Sequence, residues 1–183
     1  SSGSWNFNDA LIGNSTSDRK NGTQSARMRN SGILTMNFDN PNGAAIVTIL
    51  HALYGTDASC TWQLWYSSNG GASYTQAGST ITTSSISLST ASFTINVSGN
   101  IRFEIRKTDG STNRLNIDDI IITDFGTGGG GGGTGVKKFL FDASQGETAG
   151  NADWVIDEDN SNPQRIPTPL QSTITSTTSG TYW

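Results

Sequence analysis

From Ile101 to Lys107 the chain reads I-R-F-E-I-R-K, with apolar and charged residues alternating as far as Arg106. A period of two buries one side of an extended segment and leaves the other side wet. It cannot bury the stripe of a helix, whose period is 3.6. The same period recurs in A-R-M-R (Ala26–Arg29), I-L-T-M-N-F (Ile33–Phe38) and T-W-Q-L-W-Y-S (Thr61–Ser67). Ala44–Tyr54 is longer and β-branched, and reads as a strand buried on both faces. Strands are also expected at Ser73–Ala77, Ser79–Thr83, Ser92–Val97 and Leu115–Thr123. Turn clusters separate these runs: D-N-P-N-G, S-N-G-G and T-D-G-S-T. Between Trp5 and Phe125 no segment carries a convincing amphipathic-helix pattern. The fold class predicted for residues 1–125 is therefore all-β, an antiparallel β-sandwich of the jelly-roll type.

Composition agrees. The chain has 22 Gly, 4 Pro and only 14 % charged residues, with Ser, Thr and Asn abundant, so strong helix formers are scarce. Net charge is −4 and the pI about 4.7, which argues against a duplex-binding face, so no nucleic-acid partner is expected. No run of roughly 18 apolar residues occurs, so no inserted membrane helix is expected. Cys60 is the lone cysteine, which excludes an internal disulfide. The Ser/Thr/Asn/Gly surface suits a secreted, extracellular or cell-surface location. The chain opens directly on S-S-G-S-W, the start expected of a mature or cloned fragment.

Residues 126–135 read G-T-G-G-G-G-G-G-T-G. A linker of about ten Gly-rich residues spans roughly 16–19 Å and fixes no geometry between its neighbours. Beyond it V-K-K-F-L-F reads as one buried strand, followed by D-A-S-Q-G-E-T-A-G-N-A-D. Residues 136–183 are expected to be the truncated start of a second, α/β domain. Their acidic residues, Asp142, Glu147, Asp153, Asp157, Glu158 and Asp159, read as a solvated segment.

Five motifs in order carry a resemblance. They are W-N-F-N-D-A-L-I-G (Trp5–Gly13), D-R-K-N-G-T-Q-S-A-R-M-R (Asp18–Arg29), Y-S-S-N-G-G (Tyr66–Gly71), I-R-F-E-I-R (Ile101–Arg106) and N-I-D-D-I (Asn116–Ile120). Together they resemble the accessory β-sandwich domains of secreted multidomain proteins of Bacteroidetes-type bacteria. The last is also similar to adhesive MAM domains and jelly-roll carbohydrate-binding modules. Such domains usually begin with a strand ending in a Phe-Glu-x-Gly-like motif, which this chain lacks. Lys137–Asp157 resembles the opening of a glutamine-amidotransferase-like domain. The resemblance implies a structural calcium ion held by an acidic residue of the last strand and an Asp of an early loop, here Asp119 and Asp18. Because Asp118 and Asp119 are adjacent, alternation predicts that they point to opposite faces.

The residues themselves point to binding. Arg27 and Arg29 project opposite Ala26 and Met28, and Arg102, Glu104 and Arg106 project opposite Ile101, Phe103 and Ile105. If the two strands share a sheet, they form one polar face with planar guanidiniums, which Gln63 and Trp65 would join if Trp62, Leu64 and Tyr66 point inward. Periodicity alone does not orient W-Q-L-W-Y, and Trp65 in the core is the alternative. Sugars stack C–H faces on aromatic rings, and planar forks hold hydroxyls or a carboxylate. The ordinary alternative is cross-strand Arg–Glu pairing on a solvated sheet. His51, the only histidine, and Cys60 read as buried structural residues, not as a nucleophile and its base. The leading expectation is a non-catalytic module that binds a polysaccharide or cell-surface glycan through Arg27, Arg29, Trp65, Arg102, Glu104 and Arg106. The rivals are an appendage of a secreted nuclease or phosphoesterase, and a protein-adhesion or spacer domain.

Overall fold

The computed structural model describes residues 3–126, 136–139 and 151–153, and the regular elements among them are all β-strands. In chain order they are β1 (Ser4–Gly13), β2 (Ser25–Met36), β3 (Ala44–Leu53), β4 (Cys60–Ser67), β5 (Thr75–Thr83), β6 (Ser89–Val97), β7 (Arg102–Lys107), β8 (Leu115–Thr123), β9 (Val136–Phe139) and β10 (Asn151–Asp153). Their pairings are antiparallel, and the central order is β5-β4-β7-β2-β8-β3-β6.

β2 turns this order into two layers. Its second half, Ile33–Thr35, pairs with β7, and its first half, Ala26–Met28, pairs with β8. Between the halves Asn30 adopts φ 49°, and beside it β1 has Asp9 at φ 48° where the β1–β2 register shifts between Asn8 and Ala10. Asn and Asp are the non-glycine residues that enter the left-handed region at least cost. A bulge in both strands at one level bends the hairpin, so it serves both sheets. Gly32 lies inside the bend. A Cβ there would sit 2.9 Å from the carbonyl oxygens of both Arg29 and Asp9, so only glycine fits.

The core lies between the layers. Trp62 of β4 meets His51 of β3 edge-on at 5.3 Å and Phe93 of β6 at 5.8 Å, so strands distant in the sheet order face each other. Ile101, Phe103 and Ile105 are fully buried, as the alternation predicts, and so are Trp62 and Leu64. Three expectations change. The strands expected at 26–29 and 33–38 form one bent β2. Those at 73–77 and 79–83 form one β5, with Gly78 at φ 60° facing a register shift in β4 between Trp62 and Leu64. And β3 buries mainly one face, since Ile46 is 42 % exposed and Thr48 and Leu50 are half-buried; no helical layer covers its outer side among the described residues.

The described strands beyond the glycine run pair with the sandwich. β9 pairs with Ile120–Thr123 of β8, beyond the stretch that β2 occupies, and β10 pairs with Ser4–Asn6 of β1. The remainder of the expected second unit, with most of its acidic residues and the glycine linker from residue 127 onward, lies outside the described residues.

Thr83 Oγ1 ties the core together: it accepts from Trp62 Nε1 at 3.0 Å and bonds His51 Nδ1 at 2.8 Å. Trp62→Ala is expected to cost about 3–5 kcal/mol through lost burial and a cavity. Thr83→Val, which keeps the shape but orphans two ring nitrogens, is expected to cost about 1–3 kcal/mol. Urea unfolding of both variants checks this, and a Thr83→Val curve superimposing on wild type would contradict the buried network.

Candidate functional site

The outward side of β4 and β7 is built by register. Trp65 lies opposite Glu104, Gln63 opposite Arg106 and Ser67 opposite Arg102. Gln76 of β5 and Thr35 of β2 extend the Trp65–Glu104 row to four strands. The Arg106 guanidinium lies 4.2 Å over the Trp65 ring and 5.4 Å from the Tyr74 ring. Glu104 holds it there, its Oε2 accepting from Arg106 Nε at 2.8 Å while its Oε1 accepts from Thr35 Oγ1 at 3.2 Å. Trp65 Nε1 donates to Gln63 Oε1 at 2.9 Å, and Gln63 Nε2 donates to Thr80 Oγ1 at 2.8 Å. These bonds lock a half-buried tryptophan in place on a polar surface. Arg102 donates from Nε to Asp39 at 2.6 Å. Gly71 of the β4–β5 turn approaches closely, since a Cβ there would lie 3.3 Å from both Arg102 Nη1 and the Tyr74 hydroxyl. Burial, then the charge of Glu104, pushes the Tyr74 phenol up. Tyr74 lies inside the strand expected at Ser73–Ala77, but S-Y-T-Q-A has no apolar alternation that assigns it a face, and in the fold it stands just before β5.

Arg27 and Arg29 do not join this face. Arg27 lies opposite Asn116 of β8, whereas Arg106 lies opposite Ile33, further along β2 and past the bend at Asn30. The single arginine stripe expected from the sequence is therefore two patches. In the second, Arg27 and Arg114 both stack on Tyr54, their guanidinium carbons 4.8 and 3.8 Å from the ring centre. Arg114 forks onto Asp57 at 2.8 and 2.9 Å, and its hydrogen bonds hold the Asp57 carboxyl below the usual range. Hydrogen bonds to Ser15 and Ser17 lower the Tyr54 phenol.

β8 corrects the expectation for Asp118 and Asp119. Core-facing residues run Leu115, Ile117, then Ile120, Ile122, a step of three in the middle. The β3–β8 register shifts there, between Thr48 and Leu50, and Asp119 takes φ 40°. The extra residue of this bulge puts both carboxylates on one side. The Asn21 amide N donates to Asp118 Oδ2 and its Nδ2 to Asp119 Oδ2, each at 2.7 Å. Lys138 of β9 pairs with Asp119 at 3.0 Å, and Asp119 Oδ1 is buried with no hydrogen-bond partner. Burial, reinforced by the Asp119 charge, raises the Asp118 carboxyl to about 7.

Asp18 is placed elsewhere. It is buried and accepts from Asn116 Nδ2 at 2.9 Å, Ser15 N at 2.9 Å and Ser15 Oγ at 2.8 Å, with Arg27 at 3.5 Å. Asn116 is three residues from Asp119, roughly 10 Å along a strand. No group of three or more His, Cys, Asp or Glu side chains able to hold a metal ion occurs among the described residues.

His51 and Cys60 are both buried, His51 held below its usual pKa by burial and the Cys60 thiol pushed up to about 11 by the same cause. Alternation also carries Lys107 into the core phase of β7. Its side chain is fully buried and is met by Asp109 and by the carbonyl oxygens of Asn30 and Ser111.

No family model matches the chain, and no curated protein matches it. Solved structures do. The K2 cleaved adhesin domain of Lys-gingipain is similar at TM-score 0.53 and 12 % identity, over 65 % of this chain and 88 % of that one. The carbohydrate-binding module TmCBM61, in complex with β-1,4-galactotriose, is similar at TM-score 0.47 and 10 % identity, over 66 % of this chain and 88 % of that one. A family 29 carbohydrate-binding module is similar at TM-score 0.46 and 8 % identity, over 62 % and 73 %. At 12 % identity the likeness to the adhesin domain is one of fold alone.

Between pH 4 and 7 the folded state keeps a proton on Asp118 that the unfolded chain, with an ordinary carboxyl near 3.8, releases. Stability from this group is full below pH 4 and is lost as pH rises through 7, by on the order of 2–4 kcal/mol. His51 acts in the opposite sense, so the measurement is a difference. The stability of wild type minus Asp118→Asn, measured in chelator by urea unfolding, is expected to fall across this window. A flat difference would contradict the buried carboxyl.

Proposed function

We propose that the chain is a non-catalytic, extracellular module of a secreted multidomain protein, which binds a polysaccharide or cell-surface glycan. The observation that carries this is the stack of Arg106 on Trp65 beside Tyr74, held by Glu104 on the outer face of β4 and β7. The face combines partly exposed aromatic rings with planar donors and acceptors whose orientation is already fixed. A sugar offers the complement: a C–H face to stack and hydroxyls to bridge a guanidinium and a carboxylate. Preorganised side chains also lose little entropy when a ligand arrives. The cysteine and histidine that could serve nucleophilic chemistry are instead sealed in the core.

We also propose a structural calcium ion at Asp119. Its orphan Oδ1 is the observation that fits a hard cation, which would be completed by backbone carbonyls and water. Asp18 would contribute by fixing the loop that carries Asn21.

Affinity gel electrophoresis in acidic and neutral polysaccharides tests the first proposal. Retardation of the wild type is expected, at least tenfold weaker in Trp65→Ala or Arg106→Ala, equivalent to about 1.4 kcal/mol. Unretarded migration in every polysaccharide would remove the reading. For calcium, the thermal midpoint is expected to drop on adding chelator, and an unchanged midpoint retires the ion.

A further inference from the structure

On the other side of the β1/β2 bend lies a cleft of about 340 Å3, lined by Asp9, Leu11, Met28 and three arginines, Arg27, Arg29 and Arg114. The arginines are not equally neutralised. Arg114 is closed onto Asp57 by two short bonds. Arg27 reaches Asp18 only at 3.5 Å, and Arg29 reaches Asp9 only at 3.8 Å. The Arg29 side chain is 66 % exposed, and Asp9 is shared with Asn30 Nδ2 at 3.4 Å. A guanidinium held by a long contact at a partly exposed site keeps donors that a better-placed anion can take. Each of the three guanidiniums has one carboxylate within 4 Å, Asp57 for Arg114, Asp18 for Arg27 and Asp9 for Arg29, and the two long contacts leave Arg27 and Arg29 the more open to an incoming anion.

We propose that this cleft is a separate subsite for the carboxylate of an acidic sugar. A carboxylate is planar and accepts two parallel N–H bonds from a guanidinium fork, the geometry that Arg27 and Arg29 offer with most of their donors uncommitted. Arg27 is set by its stack on Tyr54, so one fork is oriented before the ligand arrives. The apolar wall at Leu11, 40 % exposed, gives the sugar ring a surface to cover. The sugar half of the assignment rests on the carbohydrate-binding reading; the carboxylate half stands on the cleft alone.

The test is a titration of the whole chain at low ionic strength, following arginine Nε–H signals by NMR, with sodium D-glucuronate, sodium acetate and D-glucose as probes. Glucuronate is expected to shift the Arg27 and Arg29 signals, D-glucose to leave them still, and acetate to bind roughly tenfold more weakly than glucuronate. Arg29→Gln, a change at an exposed side chain, is expected to weaken glucuronate roughly tenfold. Trp65→Ala is expected to leave glucuronate binding intact, so the cleft can succeed where the aromatic face fails, and the reverse. Silence toward both acids, or binding indifferent to Arg29→Gln, overturns the subsite. Equal binding of acetate and glucuronate overturns the sugar assignment, and loss in Trp65→Ala overturns its separateness.

Discussion

The architecture depends on one strand serving two sheets. β2 hydrogen-bonds β8 with its first half and β7 with its second, and the left-handed Asn30 and Asp9 with the crowded Gly32 make the bend between them. Each left-handed residue costs on the order of 1 kcal/mol. That is offset by what the bend allows, a closed layer in which Trp62 packs on Phe93 and His51 from the opposite sheet. The same bend divides the surface. It sends Arg27 and Arg29 to one side and leaves Arg102, Glu104 and Arg106 on the other, so backbone geometry decides which charges can act together.

Polar groups show what the interior tolerates. Lys107 is fully buried because Asp109 and two carbonyl oxygens meet its ammonium, as a buried charge requires. Asp118 accepts two backbone amides, from Asn21 and Asp119, which favour its ionised form, yet burial outweighs them and its carboxyl moves up. Two adjacent carboxylates on one side of a strand repel, and the Asn21 and Lys138 contacts partly relieve this. The outer face differs: its ion pairs are half-buried and still reached by solvent, which screens them. The Glu104–Arg106 pair matters for where it fixes a guanidinium over an indole ring.

Much of the core and of the outer face is legible in single strands. Alternation in I-R-F-E-I-R assigns Phe103 and Ile105 to the core and Arg106 outward, where the fold places them, whereas W-Q-L-W-Y admits two orientations and the fold selects the one that buries Trp62 and Leu64 and leaves Trp65 half-buried. Local sterics and burial enforce that periodicity within a single strand, so a single strand's residues reveal it. Tyr74 escapes because the expected strand that holds it, S-Y-T-Q-A, is polar on both sides but for Tyr74 and Ala77 and so gives it no face. Lys107 escapes because charge normally signals exposure, and its partners come from a turn and from another strand.

What the sequence by itself determined, as far as residue 125, is the material: extended segments with one apolar side, turns between them, and no stretch able to bury a helical stripe. What only the tertiary structure decided is adjacency. A bulge adds one residue to one strand of a pair, and it reverses the side of everything beyond it. At Asp118 and Asp119 that reversal joined two carboxylates that alternation separates. At Asn30 a bend separated two arginine pairs that alternation alone would have joined. Both depend on how neighbouring strands pair, and pairing is a property of the folded sheet and not of any one segment.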